Sequence, residues 1–346
     1  MRVEVEVSVK ELSKIFRMIN KYVGKEVDLE HLLEELLKRG LSSSDFLFLV
    51  LSKLQESGII EGKPGKIFIK SKVKKEVEKK IVENLVGEIK RRKKIVVTPL
   101  EVAKFYQCPR RFYLEKVTMS KEFKEKRGRV WNGEALHLAV KLFIENLMKG
   151  EVEDLILQIP RIAISRYKNR VTISEKSIGE FLLKLLKLIK DEKLVMFFTE
   201  RTLFSLKHGL IGTPDVIAKK DDGSLIPIDV KLGKFEKKKG IKKEHLLQSV
   251  GEAFLIEDFF RKKVEFSYLI YFQSNSVVKI KISDEVKREF LFYKKKLERV
   301  ATDRKIPGKS KIPNAERRVC KGCHVKPICE NIEKLSKLKR RIRKSI

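Results

Sequence analysis

Acidic residues, cysteines and long apolar runs are all scarce in this chain. Its 346 residues hold 47 Asp and Glu against 79 Lys and Arg, a formal net charge of +32. An excess of that size calls for a polyanionic partner, nucleic acid first and an anionic membrane surface second. The membrane reading lacks an apolar anchor or a lipidation motif. No apolar leader and no run of transmembrane length occurs, which reads as a soluble cytoplasmic chain. In that compartment the four cysteines are not expected to form structural disulfides. No G-x-x-x-x-G-K-[ST] phosphate loop occurs, so no motor is recognisable. Internal repeats are also lacking. Few Asn and Gln beside abundant Lys, Glu and Ile is a composition that suits a thermophile.

The sequence does hold a concentrated chemical signal in GTPDVIAKKDDGSLIPIDVK, residues 212–231. The DDG is a turn signal between two strand-like runs. With Asp221, Asp222 and Gly223 in the loop and Gly223 left-handed, Lys220 faces Ser224, and counting outward Asp215 faces Asp229. Alternation in LIPIDVK puts Asp229 and Lys231 on one face and Ile226, Ile228 and Val230 on the other. Two carboxylates and an ammonium then converge. Carboxylate oxygens suit Mg²⁺ or Mn²⁺. Such a cation lowers the pKa of water and stabilises charge on a phosphate, and a lysine can hold the attacking water and neutralise an oxyanion. A solvated surface hairpin is the competing reading, but it does not explain acids set in apolar runs.

The cysteines are Cys108, then Cys320, Cys323 and Cys329 in C-x2-C-x5-C spacing. Four thiolates can hold Zn²⁺ or a [4Fe–4S] cluster. Spacing does not choose between these, nor does it exclude unrelated buried thiols. His324, beside Cys323, reads as incidental. Farther upstream, RVWNGEALHLAVKLFIENLMKG has helical spacing, with Leu136, Val140, Phe143 and Leu147 on one stripe. Glu134 and His137 share another face. On periodicity alone His137 is as well explained as a structural residue.

Residues 98–331 resemble the RecB-type branch of the PD-(D/E)XK nucleases. Within that branch they resemble the four-cysteine exonuclease family associated with CRISPR spacer acquisition. The residues that carry the resemblance are TPLEVAKFYQCPRRFYL with Cys108, GEALH with His137, GTPD with Asp215, IDVK with Asp229 and Lys231, and Cys320, Cys323 and Cys329. HLLQSVGEAFLIE resembles the helix after the catalytic strand, which carries Q-x-x-x-Y in the family. Gln248 matches, and Glu252 stands where tyrosine is expected. The resemblance implies His137, Asp215 and Asp229 as ligands of Mn²⁺ or Mg²⁺, Lys231 as the residue that positions water, and Gln248 as orienting DNA or the site. It implies a [4Fe–4S] cluster rather than zinc on Cys108, Cys320, Cys323 and Cys329, and cleavage of single-stranded DNA ends, with CRISPR acquisition proteins as candidate partners. Glu200 is a candidate further acidic position.

The expected architecture is α/β: a restriction-endonuclease-like mixed sheet flanked by helices, an N-terminal winged-helix-like domain and an iron–sulfur clasp. Residues 1–86 read as the winged-helix-like module. MRVEVEV is strand-like, three helices follow, and IIEGKPGKIFIK forms a hairpin with Pro64 and Gly65 at its tip. Ser43 or Ser44 can cap the third helix. That helix can enter a DNA groove, or, being mostly apolar, the module can dock a protein. Residues 87–97 read as a basic connector that overlaps the charged, helix-like stretch 73–94. Residues 98–331 are the nuclease domain and 332–346 a basic tail that can grip phosphates. Residues 151–198 read as helices, followed by strands in ERTLFSL, LIGTPDVIA, SLIPIDVK, VEFSYLIYFQ and SVVKIKI. The expected function is a metal-dependent DNA nuclease. A DNA-binding adaptor without turnover and a nuclease for DNA ends in repair or replication are the alternatives.

Overall fold

The turn at Asp221–Gly223 sets the register of the central sheet. A computed structural model describes residues 9–39, 44–63, 65–81, 83, 95–117, 128–150, 155–167, 170–303, 305–308, 320 and 323–332. Gly223 takes φ +81°. Its amide donates to Lys220 O at 3.0 Å, and Lys220 N donates to Ser224 O at 2.9 Å. Val216 then pairs with Ile228 and Ala218 with Ile226, which brings Asp215 opposite Asp229 as the turn chemistry predicts.

Five strands form the main sheet in the order β10-β9-β8-β7-β4. They are β4 (Leu194–Thr199), β7 (Val216–Lys220), β8 (Leu225–Lys231), β9 (Phe266–Tyr271) and β10 (Ser276–Lys281). Only β8 and β9 run parallel. Their crossover is α9 (Lys243–Phe260), which lies on one face of the sheet. Ile217, Leu225, Leu269 and Tyr271 pack on the α9 side, with α4 (Pro99–Gln107) and α10 (Asp284–Asp303) beyond. Val216, Ala218, Ile226, Ile228, Val230, Tyr268 and Ile270 face α6 (Gly128–Leu147), α7 (Leu155–Ser165) and α8 (Glu175–Asp191). This period-2 division puts Asp229 and Lys231 on the α9 side. Each fully buried aliphatic side chain in these layers stabilises by about 1.5–3 kcal/mol.

Two expectations are corrected. Residues 194–198, at the end of the stretch expected to be helical, are not helical. After Lys193, which has φ +51°, LVMFFT becomes the edge strand β4 against β7, in keeping with its aromatic and β-branched content. The run LIGTPDVIA is not one strand. Leu210–Gly212 (β6) pairs with Leu203–Ser205 (β5) as a separate ribbon, and β7 begins only at Val216. Pro214 in the gap has no N–H for a ladder.

A capping box starts α4: Glu101 N donates to Thr98 Oγ1 at 3.0 Å, and Thr98 N donates to Glu101 Oε2 at 2.9 Å. Pro99 seats this helix in a notch made by two glycines. A Cβ on Gly251 would lie 2.7 Å from Pro99 Cβ, and one on Gly212 would lie 3.1 Å from Pro99 Cδ. Close approach here fixes where Thr98 and Leu100 stand beside α9.

The N-terminal residues form α1 (Val9–Lys21), β1 (Glu26–Asp28), α2 (Leu29–Lys38), α3 (Ser44–Glu56), β2 (Ile60–Lys63) and β3 (Lys66–Ile69). The three-stranded sheet has the order β1-β3-β2. Asp28 caps α2 by accepting from Glu30 N and His31 N. The short strand β1 had no distinct sequence signal. Leu47, Val50 and Leu54 of α3 are fully buried, and α3 packs on α9 and β5. The apolar side of the third helix is therefore used within the chain, and its exposed Lys53 and Glu56 pair with each other. Lys219 of β7 bonds Glu30 and Glu34 at 2.9 and 2.8 Å, and Lys262 bonds Glu30 at 2.7 Å. MRVEVEV, Ser43, Pro64, most of the 87–97 connector and the tail beyond 332 lie outside the described residues. Among the described residues no helix is long and apolar enough to cross a membrane.

Candidate active site

A cavity of about 670 Å³ opens where β8, α9, the start of α4 and the Thr213–Asp215 segment meet. His137, Asp215, Asp229, Lys231, Gln248 and Glu252 all line it. Glu200 does not. It sits at φ +47° and its carboxylate pairs with Lys141 at 2.6 Å on an exposed edge.

Asp215 lies just before β7, and its backbone O accepts from Glu200 N at 3.3 Å. Its Oδ2 accepts from Val230 N at 2.8 Å, and its Oδ1 is 3.1 Å from His137 Nδ1. Burial works against the Asp215 charge, but His137 and the Val230 amide outweigh it and hold this carboxyl below its usual range. The same bond, against burial, raises His137 above an ordinary histidine. α6 thus delivers His137 to the cavity.

Asp229 is 2% exposed and has the opposite balance. Burial lifts its carboxyl to about 6, with Lys231 pulling it down and Asp215 pushing it up. Its Oδ2 lies 2.5 Å from Lys231 Nζ, yet has no partner of hydrogen-bond geometry. Burial also opposes the Lys231 charge, but Asp229 and Glu252 more than offset this and keep the ammonium. Lys231 Nζ donates to Gln248 Oε1 at 2.8 Å, and Gln248 Nε2 donates to Glu252 Oε1 at 3.0 Å. Residues 248 and 252 are one helical turn apart, so α9 presents both to the strand. Glu252 is 5% exposed, and its carboxyl is lifted well above the usual range by burial and then by Asp229. Its Oε2 is buried without a partner.

Sequence reasoning missed the hydroxyl rim. Thr98, Thr202 and Thr213 line the cavity, and the Oγ1 atoms of Thr202 and Thr213 are 3.0 Å apart. The only available signal was their adjacency to the TPLE, ERT and GTPD motifs. His245 was also missed. It supports the site from behind: Nδ1 meets the Tyr271 hydroxyl at 2.8 Å, and burial followed by Lys231 lowers it to about 3, so it stays neutral.

Asp215 and Asp229 offer the hard oxygens a divalent cation takes, and the buried Oδ2 of Asp229, whose contact with Lys231 lacks hydrogen-bond geometry, is an acceptor that such a cation would satisfy. Among the described residues, however, no three His, Cys, Asp or Glu side chains converge closely enough to hold a metal ion. His137 and Lys231 each take a carboxylate as ion-pair partner instead.

The cysteines form a second locus. All four are free thiols. Cys108 caps the short helix α5 (Pro109–Phe112), its Sγ accepting from Arg111 N at 3.3 Å. It lies near enough to Cys320 and Cys323 to feel their charge, although burial is the main force raising its pKa. Arg110, 3% exposed, donates to Cys329 Sγ at 3.0 Å, Cys329 O at 3.3 Å and Pro307 O at 3.0 Å. Glu115 pairs with Arg111 at 2.7 Å and with His324 at 2.9 Å. The structure thus brings the 108–117 segment against 323–332, and gives His324 an ion-pairing role.

The sequence model described as the PD-(D/E)XK nuclease superfamily matches residues 96–330. Comparison with curated proteins gives no match. Among solved structures, one described as the crystal structure of SSO0001 is 18% identical over 66% of this chain and 95% of that chain, with a TM-score of 0.28. A likeness that loose supports no argument.

Proposed function

The chain belongs to the PD-(D/E)XK nuclease superfamily, and from that premise we propose that it is a metal-dependent exonuclease acting on single-stranded DNA ends in CRISPR spacer acquisition. The observation that carries the nuclease reading is the buried Asp229–Lys231 pair facing Asp215 across one cavity. Asp215 and Asp229 are the residues that would hold Mg²⁺ or Mn²⁺, with His137 beside them. When bound, the cation supplies activated water and charge stabilisation at the phosphate. Lys231 is held between Asp229 and Gln248, which keeps its ammonium at the position of the attacked phosphate. There it neutralises the developing oxyanion. Gln248 fixes that lysine through its Oε1, and the threonine rim offers neutral donors to the sugar–phosphate chain.

The single-strand, exonuclease and spacer-acquisition parts of this reading rest on the TPLE, GEALH, GTPD and IDVK matches and on the four cysteines. The donor set of Cys108, Cys320, Cys323 and Cys329 suits a [4Fe–4S] cluster, and all four stand free near the contact between the 108–117 and 323–332 segments. A cluster there would tie together segments more than 200 residues apart and close the nuclease domain. The order of elements in residues 9–69, with sheet order β1-β3-β2, supports a winged-helix-like module. With α3 packed inside the chain, that module is better suited to docking than to reading a groove. The excess of basic residues supports DNA as the partner.

A non-catalytic adaptor is the second reading. The ion pairs of His137 and Lys231 with the two acids favour it, since no three-ligand group is already assembled among the described residues. The separating experiment uses anaerobically purified protein on end-labelled single- and double-stranded DNA, with and without Mn²⁺. Binding without cleavage supports the adaptor. Mn²⁺-dependent shortening from the ends of single strands supports the exonuclease. Association with CRISPR acquisition proteins, tested by co-purification, separates spacer acquisition from end repair.

A further inference from the structure

Glu252 sits where the resembled family carries tyrosine, and its two oxygens have different surroundings. Oε1 accepts from Gln248 Nε2 at 3.0 Å, and this fixes which way the Gln248 amide points. The amide oxygen is then left to accept from Lys231 Nζ at 2.8 Å. Oε2 has no partner, although the residue is 5% exposed and lines the cavity. Asp229 Oδ2, on the facing strand, is buried 2.5 Å from Lys231 Nζ, an ion pair that lacks hydrogen-bond geometry. Burying one such acceptor costs about 1–3 kcal/mol. Two carboxylate oxygens buried in the walls of one cavity, one without a partner and one held only by an ammonium, are matched by a hard divalent cation better than by any neutral donor. A tyrosine at position 252 could bond Gln248 but would bring no carboxylate.

We propose that Glu252 is a further ligand of the divalent cation that Asp215 and Asp229 would hold, binding through Oε2 while Oε1 keeps Gln248 and Lys231 in place. The inference rests on the metal-dependent nuclease reading. Asp215, Asp229 and Glu252 all line the same cavity, and the proposal requires their side chains to draw together around the cation.

The test is Mn²⁺ binding, read from the loss of the free-ion electron paramagnetic resonance signal on titrating wild-type protein, Glu252→Gln and Glu252→Tyr. Glu252→Gln keeps an acceptor for Gln248 and removes the charged ligand. Its Mn²⁺ affinity is expected to fall about tenfold or more, as lost ligand charge and site support do elsewhere. Glu252→Tyr is expected to fall as far. Circular dichroism and thermal melting of both variants report whether the fold is kept. If a variant melts early, the titration is repeated below its transition. Affinity within twofold of wild type in folded Glu252→Gln overturns the ligand role while leaving the nuclease reading intact. Wild-type protein that binds no Mn²⁺ overturns the metal reading and this inference with it.

Discussion

The cavity wall of β8 and α9 and the seam between residues 108–117 and 323–332 both gather reactive side chains from distant parts of the chain, but they are held together differently. In the wall, charged and polar groups are buried within a few ångströms: Asp229 pairs with Lys231, and the neutral Gln248 amide bridges Lys231 and Glu252. The strand and helix that carry them are fixed by the sheet and its core, so the charges have nowhere else to go. At the seam, the contacts among the described residues include one buried guanidinium, Arg110, and Glu115 shared by Arg111 and His324. The wall is built by the fold and can spend its charges on chemistry. The seam needs its side chains to hold two segments together, which is the place where a bound cluster would add most.

The largest expected effect lies in the wall. Lys231→Ala should lower Mn²⁺-dependent cleavage by about 10²–10³-fold, while Mn²⁺ binding falls far less, because the proposed role of the lysine is on water and phosphate rather than on the cation. Parallel loss of binding and cleavage would place Lys231 among the groups that assemble the metal site. Cys323→Ala breaks the seam instead. Anaerobic wild-type protein should be brown with about four irons and four sulfides per chain. The variant should lose the colour and melt at a lower temperature. Stoichiometric zinc without iron in protected protein would replace the cluster assignment.

Arg110→Ala removes the guanidinium that spans Cys329 and Pro307, and should cost about 1–3 kcal/mol, read from the midpoint of urea unfolding. Arg110→Lys should recover little of this, since an ammonium cannot span the three acceptors as a fork does. Full recovery in the lysine variant would mean that charge alone holds the seam. The smallest effect concerns the basic tail. Deleting residues 336–346 should reduce DNA affinity and flatten its salt dependence, with sequence preference unchanged. An unaltered salt slope would show that the tail does not touch DNA.

Legibility in the sequence followed the same division. The wall could be read because its determinants are local. A DDG turn fixes the register, alternation fixes the face, and a four-residue step on a helix fixes Gln248 beside residue 252. His137 could be placed only through the family pattern, since its helix periodicity is equally that of a structural residue. At the seam the spacing gave donor types but no partner. The tie between Arg110 and Cys329 spans 219 positions and has no local signature. Neither β4 nor the break after Gly212 was legible. A short apolar run after a helix reads as more helix, and Pro214 was passed over inside a motif. The position of α3 against α9 depends on shape complementarity between distant elements, so the sequence showed that its face is apolar but not what covers it.

The central claim is that Asp215, Asp229 and Lys231 form one metal-dependent hydrolytic site. It is tested most directly by comparing wild-type protein with Asp229→Asn on end-labelled single-stranded DNA, with and without Mn²⁺. Asparagine keeps the size of the side chain and removes a charged ligand. Wild type should cleave only with Mn²⁺, and Asp229→Asn, folded and still binding DNA, should lose that cleavage by at least about a hundredfold. Equal Mn²⁺-dependent cleavage by both proteins, free of contaminating nuclease, would contradict the account.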